Sequence, residues 1–467
     1  MAESNRIRPR TLVVVGLLLA AVAAAAVLLG SEEVQKEAKL RTAEIVGEVA
    51  AEVLERATET NQIEIRARRI HDLVYQATGV ANTQLIATDD GHVVFDTGVV
   101  VQGAKHRRLL DAVIPEAPIT HVILSHSHQD HVGGAQFWLE DDTEIVAHRE
   151  FPEEQRYLKE LEDFLWRRNR LLFPWIPESP PKGNFMEYGN VVPTMLVDDG
   201  DLYRFEQGGV RFEVLPTPGA EGADNVCLWL PDQKILLSGD FFGPLFPQFP
   251  NVFTMRGEKV RKPIEYIASL ERIIALEPEM IVPSHFDPVS GRDVILASMI
   301  RMRDAVQYVH DETVAGMNAG RSVYELMETI ELPEHLQLTQ GHGRVSWAVR
   351  SIWEYYATWF QFESTTELYP VPRSAIFADL GRLAGTGALV EQARRETAAG
   401  RPVHALHFLD VALGAEPTHR EGLAARREAL QTLLDDAEAG LRNSYEMKWL
   451  EHRLEVTDQA LAAHPAS

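Results

Sequence analysis

Cysteine is almost missing from this sequence. Cys227 stands alone, so no disulfide can close within the chain, and cysteine usage does not separate a cytoplasmic from an exported protein. Cys227 lies in the apolar run Val226 to Leu230, where a free cysteine is expected to be a buried core residue. Positive charge is also scarce. Lys and Arg number 45 against 69 Asp and Glu, a formal net charge of -24, which excludes a broad basic surface and with it nucleic acid as a partner. A small anionic ligand would need a local cluster of positive charge. Composition is otherwise that of a packed globular protein, 45% hydrophobic and 24% charged. At 467 residues the chain exceeds a typical domain and predicts a core domain with accessory parts.

Only one hydrophobic run is long. It extends from Thr11 to Gly30, after Arg6, Arg8 and Arg10 and before Glu32 and Glu33. A helix of about 20 apolar residues crosses a bilayer, and arginines on the near side hold that end in the cytoplasm. Residues 1–31 are therefore expected to anchor the protein in the inner membrane of a bacterial-type cell, with the rest on the periplasmic or extracytoplasmic side. The alanines between Ala20 and Ala26 also permit cleavage, which would make the segment a signal sequence and the protein exported. Residues 32–69, rich in Glu, Ala, Arg and Lys, predict a helical stalk.

From about residue 70 short β-prone runs alternate with helical stretches. They include Thr83 to Ala87, His92 to Phe95, Thr120 to Leu124, Glu144 to Ala147, Val210 to Leu215, Val226 to Leu230, Lys234 to Leu237 and Met280 to Val282. This pattern predicts a layered α/β domain over 70–295. Phe173 to Lys182, rich in Pro, predicts a surface loop. Residues 296–467 predict an all-α domain, in which Ala388 to Leu433 has the spacing of a tetratricopeptide-type helix pair or of a plain helical bundle.

The chemistry concentrates in His126-Ser127-His128-Gln129-Asp130-His131, between the apolar run Val122 to Leu124 and the pair Gly133-Gly134. A loop at a strand end can send adjacent side chains to different metal ions, each ligand within about 2.0 to 2.2 Å. His126 and His128 are expected to serve one ion, Asp130 and His131 another. His121, His148 and His310 have no such setting and are expected to be surface or hydrogen-bonded residues.

HxHxDH followed by Gly-Gly resembles the signature of the metallo-β-lactamase superfamily, which implies a four-layer αββα sandwich. Many members carry a metal-binding His just after a Thr-Pro-Gly turn, whereas this chain reads Thr217-Pro218-Gly219-Ala220-Glu221. A Glu after that turn is similar to the alkyl sulfatase branch, as is an acid after the next strand, here Asp240. The resemblance implies a dinuclear site of His126, His128, Asp130, His131, Glu221, Asp240 and His285, with Asp240 bridging two cations and His285 completing the second shell. Asp130 and Asp240 are the expected catalytic carboxylates. Asn251 to Gly257 resembles the segment that carries sulfate-binding Asn and Arg, pointing to Asn251 and Arg256. The likeness continues through Tyr308 to Thr313, Leu332-Pro333 and Gly343 to Ser346 into a helical part that mediates dimerisation in alkyl sulfatases. One departure stands out: where that branch has Ser-His-Asn, this chain has Ser346-Trp347-Ala348, which removes a histidine proposed to assist the leaving group. Trp347 is expected to pack in the helical core or, as the alternative, to close an apolar pocket.

The expected activity is therefore hydrolysis of a small anionic ester, an alkyl sulfate first, by a metal-activated water, with two zinc ions and a homodimer formed through the helical domain. Iron or manganese would suit similar donors. The rival enzyme is another hydrolase of the same fold, acting on a phosphoester, lactone or β-lactam. A rival of a different kind is a membrane-tethered assembly protein whose metal site is only structural.

Overall fold

The computed structural model describes residues 64–173, 176, 178, 191–252 and 254–464. The apolar run Thr11 to Gly30, the stalk up to residue 63 and most of the Pro-rich loop lie outside the described residues. Among the described residues no helix is long and apolar enough to cross a membrane.

The expected hairpin is present as β3 (Thr83–Thr88) and β4 (Gly91–Phe95), with Asp89 and Asp90 in the turn. It sits in a seven-stranded sheet of sequential order, preceded by β1 (Ala67–Arg69) and β2 (Val74–Ala77) and followed by β5 (Ile119–Ile123), β6 (Glu144–His148) and β7 (Met195–Val197). Residues 67–69, expected to end the stalk, instead pair with β2. Strands β1 to β4 pair antiparallel, while β4 to β7 run parallel. Parallel neighbours need a crossover, supplied between β4 and β5 by α1 (Val100–Asp111). The β5 to β6 connection carries the HxHxDH loop and the short α2 (Gln129–Val132). α3 (Phe151–Glu160) and α4 (Glu162–Leu172) lie between β6 and β7.

A six-stranded sheet contains β8 (Tyr203–Gln207), β9 (Val210–Pro216), β10 (Val226–Leu230), β11 (Ile235–Gly239), β12 (Met280–Pro283) and β13 (Val289–Ser290) in the order β13-β12-β11-β10-β9-β8. Every residue of β10 and β11 is buried, as their unbroken apolar runs require. The two sheets pack face to face. Val74, Ile86, Val93, Phe95, Ile123 and Val146 of the first share one core with Phe212, Val214, Val226, Leu228, Leu237 and Val282 of the second. With its helices this is the metallo-β-lactamase-type arrangement. Cys227 is fully buried in it, as expected, and burial pushes its thiol up to about 12.

His106 on α1 is also fully buried, with Nδ1 2.9 Å from the Thr83 hydroxyl. Burial lowers it from 6.5 to about 4, against a smaller opposing contribution from the Thr78 backbone. The unfolded chain therefore takes up this proton before the folded one does, so stability is lost as pH falls from about 6.5 towards 4 and is intact above that window. The shift corresponds to about 3 kcal/mol. Urea denaturation of the wild type and of His106→Gln near pH 7 and pH 4 should show a smaller acid loss in the variant by roughly that amount. Equal losses would acquit His106.

The chain divides into two compact units that are not contiguous in sequence. The first comprises the described residues up to Glu162, those from 191 to Pro244, and Arg272–Leu296. The second takes in residues from Asp163 to 178, the described part of Leu245–Glu271, and the chain from Ala297 onward. The segment carrying Asn251 and Arg256 thus groups with the helical unit rather than with the sandwich.

After α5 (Pro263–Leu276), the chain continues through α6 (Arg292–Asn318), α7 (Val323–Thr329), α8 (Val345–Ala357), α9 (Phe377–Ala384), α10 (Thr386–Ala398), α11 (Pro402–Ala415), α12 (Arg420–Ala439) and α13 (Ser444–Ala463). This is the expected all-helical region. Val390 and Ala393, Ala405, Leu409 and Ala412, and Ala425 and Ala429 bring α10, α11 and α12 onto one core, small side chains allowing close approach. The α10–α11 turn uses Gly400 at φ +74°, a left-handed C-terminal stop. Leu430 and Leu434 of α12 then meet Leu450 and Leu454 of α13. Asn443 caps α13 and donates to the carbonyls of Gln340 and His342 at 2.8 and 3.1 Å.

Candidate metal centre

The site residues of the sandwich, expected and unexpected, lie just beyond strand ends. Asp96 follows β4, Ser125 and His126 follow β5, the Thr217 to Glu221 turn follows β9, Asp240 follows β11, and Ser284 and His285 follow β12. Strand carboxyl ends are where layered α/β proteins gather functional groups, because the backbone there leaves the ladder. Two glycines make the crowding possible. A Cβ on Gly134 would stand 2.1 Å from the Thr97 carbonyl oxygen, so the HxHxDH loop can lie against the start of α1 only with glycine there. Gly239, at φ +54°, would carry its Cβ 2.4 Å from that of Ser125, so the ends of the two sheets meet through it.

His126, His131 and Asp240 form one group able to hold a cation, and Asp130, His131 and His285 form another. His285 Nε2 lies 3.1 Å from Asp240 Oδ2 and 3.5 Å from Asp130 Oδ2. His131 Nε2 lies 3.4 Å from Asp240 Oδ2 and 3.7 Å from Asp130 Oδ2. On the other side His126 Nε2 and His128 Nδ1 are 2.8 Å apart, and His128 Nδ1 is 4.0 Å from Glu221 Oε2. His126 lies close to His128, and Asp130 to His131, while His126 groups as a possible ligand with His131 and Asp240.

Orientation of the imidazoles comes from residues that the sequence did not single out. His131 Nδ1 donates to Asp96 Oδ2 at 2.8 Å, and His285 Nδ1 donates to the Val80 carbonyl at 2.7 Å. His126 Nδ1 faces the Ser125 hydroxyl at 2.9 Å. These contacts turn Nε2 of each ring towards the carboxylates, the outer-shell arrangement that readies histidine for a metal. Asp96 is itself buried at φ +56°, a left-handed conformation that Asp tolerates, and accepts also from Ser125 N, Ser125 Oγ and Ser284 Oγ at 2.8, 2.8 and 2.6 Å. The available signal was an Asp directly after an apolar strand.

The donor set fits metal. His131 Nε2 and Asp240 Oδ1 are buried with no hydrogen bond among the described residues, an expensive arrangement unless a cation meets them. Charges point the same way. Burial works against the charged forms of Asp130 and Asp240, yet His131 and His285 hold both below the usual carboxylate range. Conversely, burial disfavours charged His285 and His131, but Asp240 and Asp130 outweigh it, raising His285 to about 10 and His131 well above its ordinary value. His126 moves down through burial and the neighbouring His131 and His128. Without metal, His131 and His285 therefore carry protons near neutrality that ligation must displace. Titration of metal-free protein with zinc near pH 7, in buffers of different ionisation enthalpy, should show release of about two protons and weaker binding as pH falls. Binding without proton release would contradict this charge assignment.

Asn251 and Arg256 lie in the second unit. Asn251 is buried, its Nδ2 is 3.4 Å from His342 Nε2, and its carbonyl accepts from Arg261 at 2.7 Å. Glu258 holds the Arg256 and Arg261 guanidiniums at 2.9 Å each, while Arg168 donates to the carbonyls of Met255 and Arg256 at 2.8 and 3.0 Å. The Arg256 segment is thereby fixed in place. His342, next to Asn251, went unnoticed in the sequence. Trp347, expected in the helical core, is only half-buried and lines a cavity. The other histidines have local partners: His121 stacks on Phe205, His148 meets Asp199 at 3.0 Å, and His310 meets the Tyr356 hydroxyl at 2.9 Å.

With this fold and cluster, the chain belongs to the metallo-β-lactamase superfamily, in the alkyl sulfatase branch with its dimerisation domain. The Metallo-beta-lactamase superfamily pattern matches residues 77–285 and the Alkyl sulfatase dimerisation pattern residues 322–455. A linear primary-alkylsulfatase of Pseudomonas sp. is 29% identical over 62% of this chain and 58% of its own length. An alkyl/aryl-sulfatase of Saccharomyces cerevisiae is 23% identical over 81% of this chain and 62% of its own. The fold is similar to that of a stereoselective inverting sec-alkylsulfatase from Pseudomonas sp., with a TM-score of 0.72 and 22% identity over 87% of this chain and 67% of the other. The chain spans about three fifths of the length of the curated relatives it matches.

Proposed function

We propose that the protein hydrolyses alkyl sulfate esters, releasing alcohol and sulfate. The observation that carries this reading is the convergence of Asp130, His131, Asp240 and His285 around buried ligand atoms in a chain of the alkyl sulfatase branch. Two cations held by His126, His128, Asp130, His131, Glu221, Asp240 and His285 would supply an activated water and polarise the ester. Asp240 lies 3.4 Å from His131 and 3.1 Å from His285, which supports reading it as the carboxylate common to both cations, and Asp96 keeps the His131 ring in register. Arg256 and Asn251 are the proposed sulfate contacts, one a planar guanidinium fork and the other an amide donor.

The test is incubation of the metal-loaded protein with paired sulfate and phosphate esters of short and long alcohols, with Asp240→Ala as the blank. Selective sulfate release, absent from the blank, is the expected result. Phosphate release or ring opening of a lactone instead would favour the second reading, which Trp347 supports by standing where the branch has its leaving-group histidine. Arg256→Ala is expected to cut turnover of charged esters by about 10- to 100-fold, the loss of one or two charge-assisted hydrogen bonds. Unchanged kinetics would remove Arg256 from the substrate site.

The proposed assembly is a homodimer through the helical region, in keeping with the exposed Trp359, Phe362 and Leu383, at 67%, 86% and 85% accessible. A monomer by sedimentation would refute it. An extracytoplasmic location, tethered or exported, is proposed from Arg6, Arg8, Arg10 and the run that follows them.

A further inference from the structure

Immediately after His285 the chain is strained. Phe286 has φ +57°, a left-handed conformation that is unfavourable for a bulky side chain, and it is 64% accessible, so packing of its ring does not offset the strain. The offset comes from hydrogen bonds. The connection between β2 and β3 grips three successive residues: Asn82 N donates to the Ser284 carbonyl at 2.7 Å, the Val80 carbonyl accepts from His285 Nδ1 at 2.7 Å, and Asn82 Nδ2 donates to the Phe286 carbonyl at 3.0 Å. Arg68 of β1 gives the Phe286 carbonyl a second donor, Nη2 at 3.4 Å, while its Nη1 meets Asp287 Oδ1 at 2.5 Å and its Nε meets Oε1 of the buried Gln76 at 2.9 Å.

The gripping connection is itself fixed. Asn82 is buried, its Oδ1 accepts from Gly79 N at 3.3 Å, and Val80 N donates to Gln102 Oε1 of α1 at 2.9 Å. A Cβ on Gly79 would stand 2.5 Å from Gln102 Oε1 and 2.6 Å from His106 Nε2, so the connection lies directly against α1. Strain of this kind persists only where surrounding contacts over-determine it. Without Asn82, Phe286 would relax towards negative φ, redirecting the chain beside His285 and drawing its ring away from Val80 and Asp240. His126 and His131 are not exposed to that change, being wholly buried and held by Ser125 and Asp96.

We propose that Asn82, supported by Arg68, is a positioning residue of the metal centre: it holds Phe286 left-handed and so sets the affinity for the cation that His285 ligates, without setting that of the other cation. This rests on the dinuclear reading given above.

Equilibrium competition of the zinc-loaded full chain against a chelator, read as zinc retained per chain, tests this without any turnover. Asn82→Ala should weaken the hold on one of two zinc ions by about 10- to 100-fold and leave the other within about threefold of wild type. Arg68→Gln, which carries the test should Asn82→Ala not fold, should act in the same direction and more weakly, because its partner Asp287 is exposed. Phe286→Gly added to Asn82→Ala should recover at least about threefold of the loss, since glycine takes a left-handed φ at no steric cost. A merely structural Asn82 would lower the melting temperature of the metal-free protein and leave the zinc affinities of the folded variant unchanged. Both ions held as in wild type, both weakened equally, or no recovery with glycine overturns the proposal. Wild-type protein holding fewer than two zinc ions would overturn the dinuclear reading itself, and this inference with it.

Discussion

Asp240→Ala is expected to reduce ester hydrolysis to the level seen without protein, with metal content falling in parallel. The carboxylate lies 3.1 Å from His285 and 3.4 Å from His131, so its removal takes a negative charge from beside a histidine of each group. Loss of a supporting group around a metal costs about 10- to 100-fold in affinity or activity, and loss of a direct ligand, the role proposed for Asp240, should exceed that. Metal analysis after dialysis, beside turnover of a sulfate ester, measures both effects. Full metal occupancy with normal turnover in the variant would show that Asp240 is not a ligand. Asp240→Asn separates charge from shape: the amide keeps the volume but cannot neutralise a cation, so occupancy should fall there too.

Asp96→Ala should produce the largest combined loss of stability and metal binding. The side chain is fully buried and accepts from Ser125 N, Ser125 Oγ, Ser284 Oγ and His131 Nδ1. Each buried donor left without an acceptor costs about 1–3 kcal/mol, so a total near 3–5 kcal/mol is expected after partial relaxation. His131 would also lose the partner that orients its ring, with metal affinity falling by about 10- to 100-fold. Denaturant titration of the metal-free variant isolates the folding part, and competition with a chelator isolates the binding part. Stability unchanged by the substitution would mean that the four contacts are not formed in solution.

Much of the fold was legible because its central strands are unambiguous. Val226 to Leu230 is an unbroken apolar run, and β10 occupies those residues. The Asp89-Asp90 turn between Thr83 to Ala87 and His92 to Phe95 predicted a hairpin that β3 and β4 form. Strands at the margins were not legible. β1 is Ala67–Arg69, carries two arginines and was assigned to the stalk; β8 reads Tyr-Arg-Phe-Glu-Gln with alternating exposure, and β7 and β13 are very short. Edge strands bury little, so little apolar pattern marks them, and pairing with a neighbour decides their conformation. The metal loop was legible because its residue types are costly to gather for any other purpose. Asp96 was not, since a single Asp after a strand is common and only the folded chain shows four donors converging on it.

What the sequence determined by itself was local: the strand runs, the HxHxDH loop with its glycine pair, and the departure from His to Ala220 and Glu221 that points to the alkyl sulfatase branch. Periodicity and ligand spacing are properties of neighbouring residues, so the chain order preserves them. Tertiary structure decided what depends on distant segments meeting. It brought His285 to Asp130 and Asp240, gave His131 the partner that orients it, grouped residues 245–271 with the helical unit, and decided between core and pocket for Trp347, which lines a cavity. Those outcomes rest on close packing and on the pairing of buried charge, which act between atoms near in space however far apart they stand along the chain.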